Sequence, residues 1–391
     1  MALPRTATTF APPVMEARRW LAEARLSDDM PLINVSQAAP VDPPPLAMRQ
    51  EIARIALEEP QAHLYGPVLG LTDLRDEVAA QWLTAYGGTI SSGQVAITSG
   101  CNEAFCAVIA SLLAEGDEVL IPVPWYFNHK MALDMTGARA VPLATGCDLL
   151  PDVERAAALI TDRTRAIALV SPNNPAGVEY PPALIGAFFD LCQARGIALI
   201  LDETYRDFHS SDAAPHDLFT RAGWDETLIH LYSFSKAYRL TGHRVGAMIA
   251  GPVRLAEAEK YLDTVTICPA QIGQFAALWG MRNLSHWLAG ERAEILDRGR
   301  AIREGFDPLA ERGWRLRGAG AYFAYLDHPF DARSDVIARR LVSEAGVLML
   351  PGTMFTPEGD PEGQRQMRVA FANLDAAGIT TLIERLAGFG G

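Results

Sequence analysis

Through the middle of the chain, short apolar runs alternate with longer stretches of helical spacing. Val95–Thr98, Glu118–Ile121, Ala140–Leu143, Ala166–Ser171, Ile197–Asp202, Leu228–Phe234 and Gly246–Ala250 read as strands. Several are continuously apolar, as strands covered on both faces should be. Helical stretches with readable ends lie between them: Pro181-Pro182 opens one that stops at Gly196, and Cys101–Ala114 stops near Gly116. The alternation predicts an α/β fold built on a mostly parallel, seven-stranded sheet with helices on both faces. The flanks differ. Pro43-Pro44-Pro45 sets off an N-terminal arm with its own helix (Val14–Ala24), and beyond about residue 265 long helices take over (Pro269–Asn283, His286–Arg312). Mixed strands and two closing helices then suggest a smaller α+β domain. The expected division is an arm with part of the small domain over 1–45, a large domain over 46–285 and a small C-terminal domain over 286–391.

Composition narrows the class. The 391 residues carry a formal charge of −13, against the basic face that a nucleic-acid binder presents. No apolar run approaches the ~20 residues of a membrane span, and MALPRTATTFAPP lacks the apolar core of a signal peptide. Five scattered Cys with no Cys-x-x-Cys pair suggest neither a disulfide framework nor a zinc site; a reducing cytoplasm is the expected setting. Of the 34 basic residues only Lys130, Lys236 and Lys260 are lysines, so imine chemistry would have few candidates.

Candidate chemistry falls just after the predicted strands, where open parallel sheets bind ligands. Ser233-Phe234-Ser235-Lys236 ends one strand and leads to Arg244; a desolvated Lys there can attack a carbonyl, and hydroxyls with an Arg suit a phosphate. A solvated surface Lys is the plain alternative. Asp202 ends another apolar strand, placed either to face a ligand or to cap the next turn. Ser171-Pro172-Asn173-Asn174-Pro175-Ala176-Gly177 is an ordinary turn by punctuation, and Asn174 can also donate to a ligand oxygen. In Thr98-Ser99-Gly100-Cys101-Asn102-Glu103-Ala104 a strand runs through Gly into a helix, whose free N–H groups make a phosphate seat. Neither a P-loop nor a G-x-G-x-x-G dinucleotide turn is present. Trp125, Tyr126 and Phe127 could stack on a flat ring or belong to the core, and Arg368, in MRVAFAN, wants a carboxylate.

Together these motifs, with Tyr65 and GLTDLR, DETY, SFSKAYRLTGHRVG and PGTMF, resemble the fold-type I pyridoxal-phosphate enzymes, specifically the class I/II aminotransferases, over nearly the whole chain. The resemblance implies a pyridoxal-phosphate-dependent transfer of an amino group between an amino acid and a 2-oxo acid, in a cytoplasmic homodimer with shared active sites. It implies Lys236 as the residue that carries the cofactor as a Schiff base and moves the α-proton. Asp202 would pair with the pyridine nitrogen, and Asn174 and Tyr205 would donate to the phenolic oxygen. Gly100, Cys101, Asn102, Ser233 and Arg244 would hold the phosphate, Tyr65 would reach the phosphate of the other subunit, and Tyr126 would stack on the ring. Arg368 would clamp the substrate α-carboxylate, with Ala38 and Asn174 beside it.

The sequence departs from the family pattern in places. Position 38 is Ala where Gly is usual, and Cys101 stands for Ser, Thr or Ala. Some aspartate-preferring relatives have Lys where Asn102 stands, or an Arg near 262–268, and neither cation is present. A neutral, apolar or aromatic substrate side chain is therefore favoured, with Tyr65, Trp125, Ile267 and Met354 as expected walls. The same scaffold also supports β-elimination, decarboxylation and ring-forming or oxidising chemistry. It further serves as a non-catalytic sensor fused to helix-turn-helix repressors, a role that the negative charge and the short run before the arm disfavour.

Overall fold

The computed structural model describes residues 4–26 and 29–390. After the two-residue strand β1 (Ile33–Asn34), the strands β2 (Val95–Thr98), β3 (Glu118–Val123), β4 (Arg139–Ala144), β5 (Thr164–Val170), β6 (Ala198–Asp202), β7 (Leu228–Ser233) and β8 (Gly246–Ile249) follow in chain order. β2 to β8 form one seven-stranded sheet in the order β2-β8-β7-β6-β5-β3-β4. Only β8 runs against its neighbours, pairing antiparallel with both β2 and β7. The carboxyl ends of β2, β3, β5, β6 and β7 therefore share one edge.

The unbroken apolar runs have a direct cause. Along β5, Ile167 and Leu169 enter one core while Ala166 and Ala168 enter another; along β6, Leu199 and Leu201 oppose Ala198 and Ile200. The period of two survives as a choice between two cores rather than between core and solvent. Small residues on the second face let helices Cys101–Leu112 and Pro252–Thr266 lie close, through Ala104, Ala107, Ala258 and Leu262.

A further core unites the C-terminal part with the beginning of the chain. Strands β9 (Arg315–Gly320), β10 (Phe323–Asp327), β12 (Leu350–Pro351) and β13 (Gln366–Val369) form an antiparallel sheet in the order β12-β13-β10-β9. The short β11 (Val347–Leu348) pairs in parallel with β1, Ile33 opposite Val347. Ala17 and Trp20, from helix Pro13–Glu23, join Trp314, Leu326, Leu341 and Met367 in this core. The helix expected over 286–312 is shorter, ending at Glu304 before Gly305 and restarting briefly at Asp307–Ala310. Pro308 lacks the N–H that would continue the ladder, so the chain turns there.

Candidate active site

Five strand ends and the turn into β8 converge on a cavity of about 330 Å3. β7 delivers Ser233, whose Oγ accepts from Ser235 N at 3.3 Å and caps the short helix Phe234–Ala237 that carries Lys236. β6 delivers Asp202, and the turn after β5 delivers Asn174. β2 runs into helix Cys101–Leu112 through Gly100, whose φ of +94° suits a residue without Cβ. Arg244 precedes β8, and its guanidinium lies where a side chain on Gly100 would have to go.

The cations in the cavity rest on neutral oxygens. Lys236 Nζ donates to the Ala38 carbonyl. Burial, with Arg244 and Arg368 nearby, pulls its pKa down to about 8, so an appreciable neutral fraction is available near neutral pH. Arg244 Nη1 donates to Ser235 Oγ at 3.3 Å and to the Thr241 carbonyl at 3.1 Å. Arg368, on β13, is 2% exposed; it donates to Asn174 Oδ1 at 3.0 Å and to the Ser36 carbonyl, while its Nε has no partner among the described residues. Phe127, Phe323 and Phe355 surround its guanidinium, and burial lowers its pKa to about 10.

Asp202 is buried too. Burial alone would raise its pKa, but His129 and the Thr204 N–H outweigh that and hold it below the usual carboxylate range. His129 Nε2 lies 3.2 Å from Asp202 Oδ2, and its ring stacks on Phe105 with centroids 3.8 Å apart. Tyr205 is pushed well above its ordinary pKa by burial and keeps its proton. Tyr126, raised to about 12 by burial, donates to Asn102 Oδ1 at 3.3 Å and accepts from Asn128 Nδ2 at 2.9 Å.

Ala38, Cys101, Asn102, Tyr126, Asn174, Asp202, Tyr205, Ser233, Lys236, Arg244 and Arg368 all line this one cavity, with Gly100 against Arg244. Tyr65 does not; its side chain is exposed. The expected walls also differ. Ile267 is exposed, and Trp125 and Met354 line a separate hollow beside the N-terminal arm, where Trp125 N donates to the Phe355 carbonyl. Val14, Gln37, Phe127 and Asn128 take their place. His129 and Gln37 gave no signal in the sequence; a His three residues beyond Tyr126, one helical turn along, was the only available hint for the former.

The cavity suits a phosphorylated aromatic aldehyde. It offers a helix start with no side-chain cap among the described residues, an Arg beside a Gly without Cβ, one half-buried Lys, and a buried carboxylate held ionised. Residues 31–386 match the family described as aminotransferase class I and II. The chain belongs to this family. As a class I and II aminotransferase it depends on pyridoxal phosphate and moves an amino group between an amino acid and a 2-oxo acid. The aromatic aminotransferase ISS1 of Arabidopsis thaliana is 29% identical over 393 residues, 98% of this chain and 94% of that protein. The arginine–pyruvate transaminase AruH of Pseudomonas aeruginosa is 32% identical over 309 residues, 75% of each chain. The solved structure of YbdL from Escherichia coli, described with a methionine aminotransferase function, has the same fold: TM-score 0.89, 22% identity and 100% of both chains covered.

Proposed function

We propose that this aminotransferase acts on amino acids with neutral, apolar or aromatic side chains. Lys236 is the residue that binds the cofactor and moves the α-proton. The observation that carries this is a half-buried lysine with a lowered pKa, the one lysine facing the same cavity as an ionised Asp202 and a buried Arg368. When bound, pyridoxal phosphate supplies the electron sink for the α-carbon. The N–H groups of Cys101 and Asn102, with Ser233 and Arg244, would hold its phosphate. Asp202, kept charged by His129, would keep the ring nitrogen protonated, and the Tyr205 hydroxyl would donate to the phenolic oxygen. Asn174 gives its carbonyl to Arg368 and so has its N–H free to donate beside Tyr205. Tyr126, which lines the same cavity, would offer its ring to the cofactor.

Arg368 binds the substrate α-carboxylate, which replaces the Ser36 carbonyl on the guanidinium. Around the remaining space stand Val14, Gln37, Phe127 and Asn128, none of them a cation. A second carboxylate buried there without a partner would cost several kcal/mol. Of the two relatives' names, the aromatic one agrees with a neutral side chain and the arginine–pyruvate one does not.

We also propose a cytoplasmic homodimer, the Tyr65 of each subunit completing the other's phosphate site, and domain limits at 45 and 285. Exposed Leu64, Tyr65, Val265 and Ile267 support the interface. No helix among the described residues is long and apolar enough to cross a membrane.

The test is the half-reaction. Phenylalanine or methionine alone should convert the bound cofactor's absorbance to that of its amine form, and a 2-oxo acid should restore it. Borohydride should fix the cofactor on the peptide containing Lys236. Label on Lys130 or Lys260 would overturn the assignment of Lys236. Aspartate as the best donor by a wide margin would overturn the side-chain reading.

A further inference from the structure

On the far side of the turn from Asp202 lies a buried polar knot that this mechanism does not use. Successive residues at a strand end point to opposite faces. Asp202 faces the cavity, and Glu203, fully buried, faces away from it. Glu203 Oε2 accepts from the Tyr86 hydroxyl and lies 2.7 Å from His230 Nε2 and 3.4 Å from His216 Nε2. The Glu203 N–H donates to the Leu231 carbonyl at 2.9 Å. Tyr86, from helix Thr72–Tyr86, and His230, from β7, bond to this one oxygen; His216, from the loop before residue 218, stands beside it without a hydrogen bond, and Glu203 Oε1 has no partner among the described residues. Arg206, also buried, lays its guanidinium over Trp82 and Tyr86, 3.9 and 4.9 Å from the ring centres.

Glu203, His216 and His230 place ligand atoms within 4.8 Å of one another, a spacing that could hold a divalent metal. Two features oppose that use. His216 Nδ1 accepts the Leu218 N–H at 3.2 Å, which puts the ring proton on Nε2, the atom facing Glu203, and leaves it no lone pair for a metal. The Arg206 guanidinium already brings positive charge into the same box. The atoms are arranged as donors around a carboxylate.

We propose that Glu203 is a positioning residue: its gripped carboxylate holds the 202–205 turn so that Asp202 and Tyr205, on the other face, keep their places in the cavity. This rests on the reading that both face the cofactor ring. A buried carboxylate bonded by Tyr86 and His230 resists rotation, because each donor released would be stranded without a partner. The backbone of one residue separates that anchor from Asp202.

The experiment compares Glu203→Gln, the milder Tyr86→Phe and, as reference, Asp202→Asn. Pyridoxal phosphate is titrated into each cofactor-stripped protein, the bound cofactor's absorbance is followed against pH, and metal content is measured on the protein as purified. Both anchor variants should bind the cofactor about 10-fold more weakly and move the absorbance midpoint in the same direction as Asp202→Asn. If Glu203→Gln does not fold, Tyr86→Phe alone decides. Wild-type affinity and midpoint in a folded Tyr86→Phe protein, whatever its melting temperature, overturn the proposal. So does one equivalent of zinc per chain lost in that variant. If Asp202→Asn also leaves both readouts unchanged, it is the assignment of the cavity that fails, a result separable from failure of the anchor.

Discussion

Lys236 sits where its own charge is penalised. Its folded pKa, about 8, lies below that of an unfolded lysine, about 10.4, so between those values the unfolded chain binds more protons. Stability should therefore rise with pH across that window, and below pH 8 the folded state bears the full cost of the half-buried ammonium, about 3 kcal/mol. Lys236→Met, measured without cofactor at pH 7, should melt at a higher temperature than wild type while losing transamination by orders of magnitude. The gap should close as pH is raised toward 10. A lower melting temperature at pH 7 would show that the lysine is not under that strain. At this scale the sequence told much, because Lys236, Asp202 and Asn174 each follow an apolar strand and stand out from it. His129, His216 and Tyr86 did not stand out, since each meets its partner only through the fold: residue 86 with 203, residue 129 with 202.

Among the elements, the passage from β2 into helix Cys101–Leu112 is the most constrained. Gly100 holds φ +94°, and a Cβ there would run into the Arg244 guanidinium. Gly100→Ala should cost on the order of 1–3 kcal/mol locally and push Arg244 aside. Its dissociation constant for pyridoxal phosphate should rise about 10-fold or more by titration. An unchanged constant would remove Arg244 and this turn from the phosphate site. Periodicity located all seven strands of the sheet, because length and apolar content mark a buried strand. It could not say that β8 runs backwards, since a continuously apolar run reads the same in either direction. The helix break at Gly305 was missed because helical spacing continues through Pro308.

For the whole molecule, the outward-facing Tyr65, 79% exposed, is the residue that makes assembly testable. Sedimentation at assay concentration should show a dimer. Tyr65→Phe should remain dimeric and lose one charge-assisted hydrogen bond, about 1.5–3 kcal/mol, weakening cofactor retention by about 10- to 100-fold. A fully active monomer would contradict the shared site.

The cavity sets Lys236, Arg244 and Arg368 against one Asp202, inside a chain whose formal charge is −13. An anion approaching from solvent meets the repulsive far field of the acidic surface before the attraction of the recess. Dissolved salt screens the first over about 8–10 Å and hardly reaches the second. Rebinding of pyridoxal phosphate to the stripped enzyme, followed by stopped flow, should therefore hold steady or quicken between low and physiological ionic strength. A steep slowing would place the cavity's own field, rather than the envelope, in charge of the encounter.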